Sequence, residues 1–430
     1  MKNKNAVLKI LAELCRLLIG VVFIFSGFVK AVDPVGGAIK IGEYLASFGL
    51  DMLQPFTVLL SFNLSAIEFT LGVCMLLGVY RRYVSFLILI FMAFMTPLTL
   101  YLALFDPVSD CGCFGDALVI SNWETFFKNI VLSLAAIVTF IYNQRLFQCF
   151  TFRAYWFVAL YAYLFGVGFA YYNYNHLPVI DFRPYKIGAN IPKLMEMPEG
   201  APQDEYKYTF VYEKDGVKKE FSLEDYPAND SSWTFVDSKT ELVKKGYQPP
   251  VAAFNIYNGK GDDVTEEIIG NPGPVLLLVA PKLEEAVEEQ MDEINGVYDY
   301  ALEHDIPFYC VTGSSPEAID TWSDNTGAEY PFRMADEVLL KTIIRSNPGL
   351  VLLKGGTILG KWHYNDIPAE EEVKAVMDRC YIAADPVDES NIKSKEDGTL
   401  ATNLLTFTVP LLLVWMYDLL RFRRKRKEKK

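Results

Sequence analysis

The sequence predicts a membrane-embedded all-α bundle that carries an exported α/β domain. The 430-residue chain is 51% hydrophobic, with its long apolar runs near both ends and most of its charged residues in the middle. Apolar runs of about 20 residues are long enough to cross a bilayer core. The middle region shows strand patterns alternating with helix patterns, which is typical of a layered α/β domain.

Six apolar runs are predicted to span the membrane. Five precede the soluble region and one follows it, at approximately 12–32, 57–80, 83–105, 124–143, 153–172 and 402–420. The first run resembles a signal sequence because lysines precede it. It is long, however, and leads into further spans rather than to a small-residue cleavage site, so we expect it to be retained.

Basic residues predict the orientation, because positive charge marks cytoplasmic loops. Counting six crossings places four basic clusters on one side: the Lys-rich N terminus, Arg81-Arg82, Arg145 with Arg153, and the tail that begins at Arg421. Both termini are therefore predicted to be cytoplasmic, with 173–400 on the periplasmic side of a bacterial inner membrane. The net charge of −13 belongs mainly to the soluble region and gives no indication of nucleic-acid binding, whereas the basic tail suits contact with membrane lipid.

A small β unit is predicted just after the fifth span. Residues 206–212 and 217–221 alternate apolar and polar side chains around a turn, and Trp233–Asp237 is expected to add a third strand. No chemistry is predicted for this unit.

The region that follows is predicted to be a second, larger α/β unit. The expected elements are a strand at Ala252–Tyr257, a buried strand at Pro274–Ala280, a helix at 283–304, a strand at Pro307–Thr312, a helix at 316–326, a strand ending at Leu353, a hairpin partner at Ile358–His363 and a helix at 369–381. This order resembles a thioredoxin-like domain of the peroxiredoxin and thiol-reductase type. The resemblance would place Pro348 at the family's cis-proline.

The larger α/β unit departs from that family at its redox motif. A Cys-x-x-Cys should follow the strand ending at Ala280, where this chain has Pro281-Lys-Leu-Glu-Glu. Thiol exchange needs a thiolate, so the domain is predicted to be a redox-silent binding module. Cys310 and Cys380 are expected to be buried structural thiols.

Cys111 and Cys113 lie in the predicted external loop at 106–123, where disulfides persist. Gly112 between them permits a tight bend, and a disulfide in so small a ring is expected to be strained and easily reduced. Labile disulfides are the catalytic or regulatory kind. The alternatives are a structural disulfide or two unpaired thiols in a turn. A metal site is not expected, because the external loops offer no nearby His or further Cys.

Charged residues inside predicted spans form the other candidate site, because such charges are costly and usually paired or functional. Glu68 lies near the middle of span two, and Arg16 and Lys30 lie towards opposite ends of span one. Glu68 is expected to pair with one of these bases. A proton path coupled to quinone chemistry is the functional alternative, with Phe86, Phe91 and Phe94 as candidates to line a quinone site.

The first four spans carry a second resemblance, over residues 10–145. Arg16, Gly20, Ser26-Gly27, Lys30, Glu68 and Arg81 resemble the DoxX family of small four-helix membrane proteins, and the loop Asp110-Cys-Gly-Cys-Phe-Gly-Asp116 resembles its MauE-like branch. That branch is associated with disulfide handling. The whole arrangement resembles an uncharacterised family of Bacteroides-type bacteria, which implies an inner membrane and a periplasmic domain.

Two functions remain open at this point. One is thiol/disulfide redox at Cys111 and Cys113, with quinone as a candidate electron acceptor and a periplasmic protein as client or partner. The other is a non-enzymatic membrane scaffold whose thioredoxin-like domain binds a periplasmic partner.

The predicted divisions are 1–150 (four-helix membrane domain), 151–175 (fifth span), 176–248 (linker and small β unit), 249–385 (thioredoxin-like domain), 386–401 (linker), 402–421 (sixth span) and 422–430 (basic tail).

Overall fold

The structure is a computed structural model, and it describes most of the chain. The described residues are 2–108, 110–198, 200–202, 205–214, 217–222, 225, 233–244, 246–369, 372–377 and 389–423. Cys380, part of the predicted linker at 386–401 and most of the predicted basic tail at 422–430 lie outside them.

Long helices build the bundle at the N-terminal end of the chain, and one more follows the soluble region. Their bounds are Lys2–Val32 (α1), Pro34–Ser47 (α2), Thr57–Leu77 (α3), Arg81–Phe105 (α4), Asn122–Ile141 (α5), Tyr155–Asn175 (α6) and Glu389–Asp418 (α13). Sequence signals set several ends. Gly78 takes a left-handed conformation after α3, as C-terminal glycines do, and Ser121 and Glu124 form a capping box at the start of α5.

Five helices among the described residues are long and apolar enough to cross a membrane: Asp51–Leu77, α4, α5, α6 and Gly398–Arg421. They coincide with five of the six predicted spans. The run predicted at 12–32 forms most of α1, a 31-residue helix that is not among these five, so its crossing stays a prediction. The orientation of the termini stays a prediction as well.

Glycines allow α1 and α3 to pack with their backbones in close approach. A Cβ atom added to Gly27 would lie 2.4 Å from the Phe69 amide nitrogen, and one added to Gly72 would lie 2.6 Å from the Ile24 amide nitrogen. Small residues at helix interfaces serve this purpose in membrane proteins. The contact fixes α1 against α3 at the level of their charged residues.

The predicted loop at 33–56 contains helical structure instead. Asp33 caps α2 through its side chain, and a 3-10 helix follows at Asp51–Phe56. The sequence prediction missed α2 because it considered only segments long enough to span a bilayer. The α2 helix, 14 residues long, packs against α3.

The small β unit is a three-stranded antiparallel sheet, as the alternation pattern predicted. Its strands are Glu205–Lys214 (β1), Val217–Ser222 (β2) and Thr234–Lys244 (β3), in the order β2-β1-β3. A short helix, Ile191–Met195 (α7), precedes them.

The larger α/β unit contains a five-stranded sheet of order β6-β5-β4-β7-β8. Its elements are Thr265–Ile269 (α8), Pro274–Ala280 (β4), Met291–Glu303 (α9), Phe308–Thr312 (β5), Pro316–Thr326 (α10), Phe332–Met334 (β6), Glu337–Ile343 (α11), Gly349–Lys354 (β7), Thr357–His363 (β8) and helical residues 372–377 (α12). The central strand β4 is buried throughout. It pairs in parallel with β5 and antiparallel with β7, which is the arrangement expected of a thioredoxin-like sheet.

Three details of this unit differ from the prediction. The strand predicted at Ala252–Tyr257 is wrong: only Tyr257 forms isolated bridges, to Asp263 and Met334. The helix predicted from 283 begins at Met291, because the Val287 amide donates to the Asn347 carbonyl oxygen at 3.0 Å and holds the chain across the sheet. The short elements β6 and α11 were not predicted, because no apolar–polar pattern in the sequence indicated them.

Candidate functional site

The two loop cysteines are adjacent in space as well as in sequence. Their Sγ atoms lie 2.8 Å apart, and Cys111 is buried whereas Cys113 is half-buried. The turn between them uses a left-handed Gly112, with φ of 64°, whose amide donates to Asp110 Oδ1 at 2.8 Å. A side chain at 112 would strain this backbone, so the glycine brings the sulfurs together.

Side chains from α1 and α2 hold the carbonyl groups of both cysteines. The Tyr44 hydroxyl donates to the Cys111 carbonyl oxygen at 2.8 Å. The Ser26 hydroxyl lies 2.7 Å from the Cys113 carbonyl oxygen and 2.7 Å from Glu68 Oε2, and it can donate to one of them at a time. These contacts fix the loop against the bundle.

Lys30, rather than Arg16, is the partner of Glu68. The Lys30 ammonium lies 2.6 and 2.8 Å from the two Glu68 carboxylate oxygens, and both side chains are largely buried. Arg16 instead pairs with Glu13 at 2.6 Å and donates to the Leu76 carbonyl oxygen. Of the two bases expected as partners, Lys30 is therefore the one that pairs with Glu68. Position explains this difference: Lys30 is level with the Cys111-Gly-Cys113 turn (the thiol loop), and Arg16 lies about four helical turns earlier, near the middle of α1.

The pKa values of the two thiols are shifted in opposite directions. Hydrogen bonding from Cys111, together with the charges of Lys128 and Lys30, lowers the pKa of Cys113 despite burial. The same hydrogen bond and burial raise the pKa of Cys111. The coupled pair therefore favours one thiolate, on Cys113, and one protonated thiol, on Cys111. A thiolate is the nucleophile and the good leaving group in exchange.

A cavity of about 1650 Å³ opens onto the thiols and reaches both the bundle and the soluble region. The thiol loop, Lys30 and Glu68 form part of its polar wall. Apolar side chains from α2 and α4 line another part, among them Ile41, Phe91, Phe94 and Met95. Phe86 does not line it and packs against Phe140 instead, with ring centroids 5.9 Å apart.

Arg345 of the larger α/β unit lines the part of this cavity that lies against the soluble region. Its guanidinium contacts both carboxylate oxygens of Asp33, at 2.9 to 3.1 Å, and lies 3.4 Å from Asp116. Although burial opposes ionisation, Arg345 and Arg183 lower the pKa of Asp33. Asp33 precedes α2 and Asp116 follows the thiol loop, so one arginine joins the soluble unit to both flanks of the thiol site.

The turn after β4, where a thioredoxin-like domain would carry its thiols, contains a short 3-10 helix at Leu283–Glu285. The Asn347–Pro348 peptide bond beside it is cis, and the Asn347 side-chain amide donates to the Lys282 carbonyl oxygen at 2.7 Å. Cys310, on β5, is fully buried, and burial raises its pKa.

Sequence reasoning missed Lys128, Tyr44 and Arg345. Lys128 lies within the predicted span at 124–143, so the criterion that selected Glu68 applies to it equally. Tyr44 and Arg345 carry no such signal, because each acts through a contact distant in sequence.

Comparisons with known proteins match two parts of the chain. Residues 8–142 match the family model of methylamine utilisation protein MauE, and residues 206–245 match that of a domain of unknown function, DUF8463. No curated protein matches the chain. A similar solved structure is the solution structure of a "putative protein disulfide isomerase" from Bacteroides thetaiotaomicron, with 18% identity over 29% of this chain and 82% of that one. Its TM-score of 0.24 is too low to establish a shared fold, so the description of the sheet depends on its own strand order.

Proposed function

We propose that this MauE-like membrane protein is a thiol-disulfide oxidoreductase of a bacterial inner membrane, with Cys111 and Cys113 as its exchanging pair. One observation carries the proposal: the two thiols lie 2.8 Å apart on the wall of a large cavity, and one of them is favoured as a thiolate. We further propose that the thiol loop and the soluble region face the periplasm, as the basic clusters predict.

The exchange would run from a reduced client to the oxidised loop. A client thiolate attacks Cys111 Sγ, the Cys111–Cys113 bond breaks, and its electron pair leaves with Cys113 as a thiolate. The second client thiolate then attacks the mixed disulfide, which releases the oxidised client and leaves Cys111 reduced. Two electrons pass from the client to the loop. Departure of Cys113 is favoured because a thiol of lower pKa leaves faster.

A membrane quinone suits the cavity as acceptor of these electrons. A quinone takes two electrons and two protons as two thiols become a disulfide. Its apolar tail would need a route to the lipid, and Phe94, on the cavity wall, is 68% exposed on the outer face of α4. Its polar ring would need donors near the thiols, where Lys30 lies on the same wall.

The larger α/β unit would act as a docking module rather than as a second redox centre. Cys310 is its one described cysteine, and a fully buried thiol in a central strand cannot reach a client. A non-enzymatic scaffold is the alternative, supported by the same lack of thiols after β4 and by the Arg345 contacts that fasten the unit to the bundle.

Cysteine substitution separates the two functions. In Cys113→Ser, the Cys111 thiolate can attack the disulfide of an oxidised client, which is the reverse of the last exchange step and releases one client thiolate. Because no second loop thiol is present to resolve it, the mixed disulfide on Cys111 should accumulate. Cys111→Ser with Cys113→Ser should abolish trapping and leave client cysteines reduced in cells. Cys15→Ser is the matched control, because Cys15 lies on α1 away from the loop. If Cys113→Ser traps no protein and the double variant keeps clients oxidised, the oxidoreductase proposal is wrong and the scaffold is favoured.

A further inference from the structure

Lys128 is a charged residue within a helix that is long and apolar enough to cross a membrane. It lies near the start of α5, and no carboxylate among the described parts of the chain lies within ion-pair distance of it. Its ammonium instead lies over the Phe114 ring, 4.1 Å from the centroid. Charged residues inside spans are usually paired or functional, and Lys128 has no acidic partner to explain it.

The aromatic ring beneath Lys128 directly follows Cys113 in the chain. Phe114 is buried, and an edge contact with Phe25, at 5.3 Å between centroids, fixes its orientation. Attraction between the cation and the ring therefore holds the ammonium over the side chain of the residue that follows Cys113. Lys128 and Cys113 also line one small cavity, of about 30 Å³, together with Ser26 and Asn129.

The charges that face Cys113 do not contribute equally. Lys30 on α1 is neutralised by Glu68 on α3 at 2.6 Å, so the pair adds little net charge. Cys111, on the loop itself, is the remaining titratable neighbour. Among the residues that the structure describes, Lys128 on α5 has no acidic partner within ion-pair distance, and its field is among the causes that lower the pKa of Cys113.

We propose that Lys128 is a positioning residue that makes Cys113, rather than Cys111, the thiolate of the pair. The inference rests on the proposed function in assigning that thiolate the part of leaving group. When a client thiolate attacks Cys111 Sγ and the loop disulfide breaks, the electron pair goes to Cys113, next to the Lys128 ammonium. Lys128 thus selects which sulfur a client attacks.

The test measures alkylation of the full-length, reduced protein in lipid nanodiscs. Iodoacetamide rates are followed for each cysteine by mass spectrometry from pH 5 to pH 10. The midpoint is the pH at which the alkylation rate of a cysteine is half its maximum. Lys128→Gln and Lys128→Met should raise the midpoint for Cys113 by about one pH unit, which slows its alkylation about tenfold at pH 5. Lys128→Arg should restore the wild-type midpoint because it keeps the charge. Lys341→Gln, which removes a lysine of the soluble unit, should leave the midpoint unchanged.

A second variant tests the proposal if the Lys128 variants fail to fold. Phe114→Leu removes the ring that holds the ammonium but keeps an apolar side chain, and it should move the midpoint upwards by less than Lys128→Gln. The proposal is overturned if Lys128→Gln has the wild-type midpoint, or if Lys128→Arg shifts it as far as Lys128→Met does. If Lys128→Gln shifts the Cys113 midpoint but Cys113→Ser traps no client, the role of Lys128 stands and the oxidoreductase proposal is wrong.

Discussion

Two turns of this protein invite comparison: the Cys111-Gly-Cys113 loop on the bundle and the turn after β4 in the larger α/β unit. The second has the surroundings of a thiol-exchange site, with a buried central strand and a neighbouring cis-proline, but Lys282 and Glu285 form an ion pair there. The first has the thiols, held by side chains from the bundle. The buried strand and the cis-proline therefore lie beside one turn, whereas the thiols lie in the other. A resemblance in fold does not by itself show where thiol chemistry takes place.

The sharpest contrast should be in thiol reactivity. We expect Cys113 to be alkylated at least about a hundredfold faster than Cys310 at pH 7, because the pKa of Cys113 is lowered and burial raises that of Cys310. Mass spectrometry of the folded protein after timed exposure to iodoacetamide measures both rates. Equal labelling of the two cysteines would contradict the expected difference between the thiol loop and the larger α/β unit.

Loss of the Glu68 carboxylate should destabilise the bundle below the thiol loop. Glu68→Gln leaves Lys30 as an unpaired buried charge, which costs about 3–5 kcal/mol. Glu43→Gln is the matched control, since its partner Lys40 and Glu43 itself are more exposed and such a pair contributes about 0–1 kcal/mol. Thermal unfolding in nanodiscs compares the two variants, and losses of equal size would mean that the Lys30–Glu68 pair does not support the loop.

Removal of the Arg345 guanidinium should loosen the soluble unit from the thiol loop. Arg345→Gln should cost about 2 kcal/mol, because it leaves Asp33 buried without its partner, and should raise the alkylation rate of Cys111. The paired Asp33 has a lowered pKa, so this contribution is present above the pKa of an unfolded aspartate and is lost as pH falls through the lowered value. Lys341→Gln is the control. A Cys111 rate unchanged by Arg345→Gln would show that the arginine does not limit access.

The smallest effect at neutral pH should come from His363, at the end of β8. Burial lowers its pKa to about 4, so the unfolded chain binds more protons between that value and the ordinary one near 6.5. Stability should therefore fall as pH decreases from about 6.5 to 4. His363→Gln should flatten this part of the pH dependence in thermal unfolding of the full chain. An identical slope for wild type and variant would contradict a buried neutral histidine.

The sequence by itself determined the features that depend on local pattern. Apolar runs placed five of the candidate spans, alternation placed β1 to β3, and the buried run at Pro274–Ala280 placed the central strand. These succeed because hydrophobic length and periodicity are set by neighbouring residues. The same criterion, applied to all spans, would also have found Lys128.

The tertiary structure decided which groups meet. Lys30 rather than Arg16 pairs with Glu68, Tyr44 reaches the Cys111 carbonyl, and Arg345 reaches Asp33 across more than 300 positions of sequence. The helix predicted from 283 begins late for a similar reason, because Val287 bonds to Asn347. Such contacts depend on how elements pack, and no local pattern records them. The thiols were visible in the sequence, but Lys30 and Lys128, on two different helices, line a small cavity with Cys113 only in the folded chain.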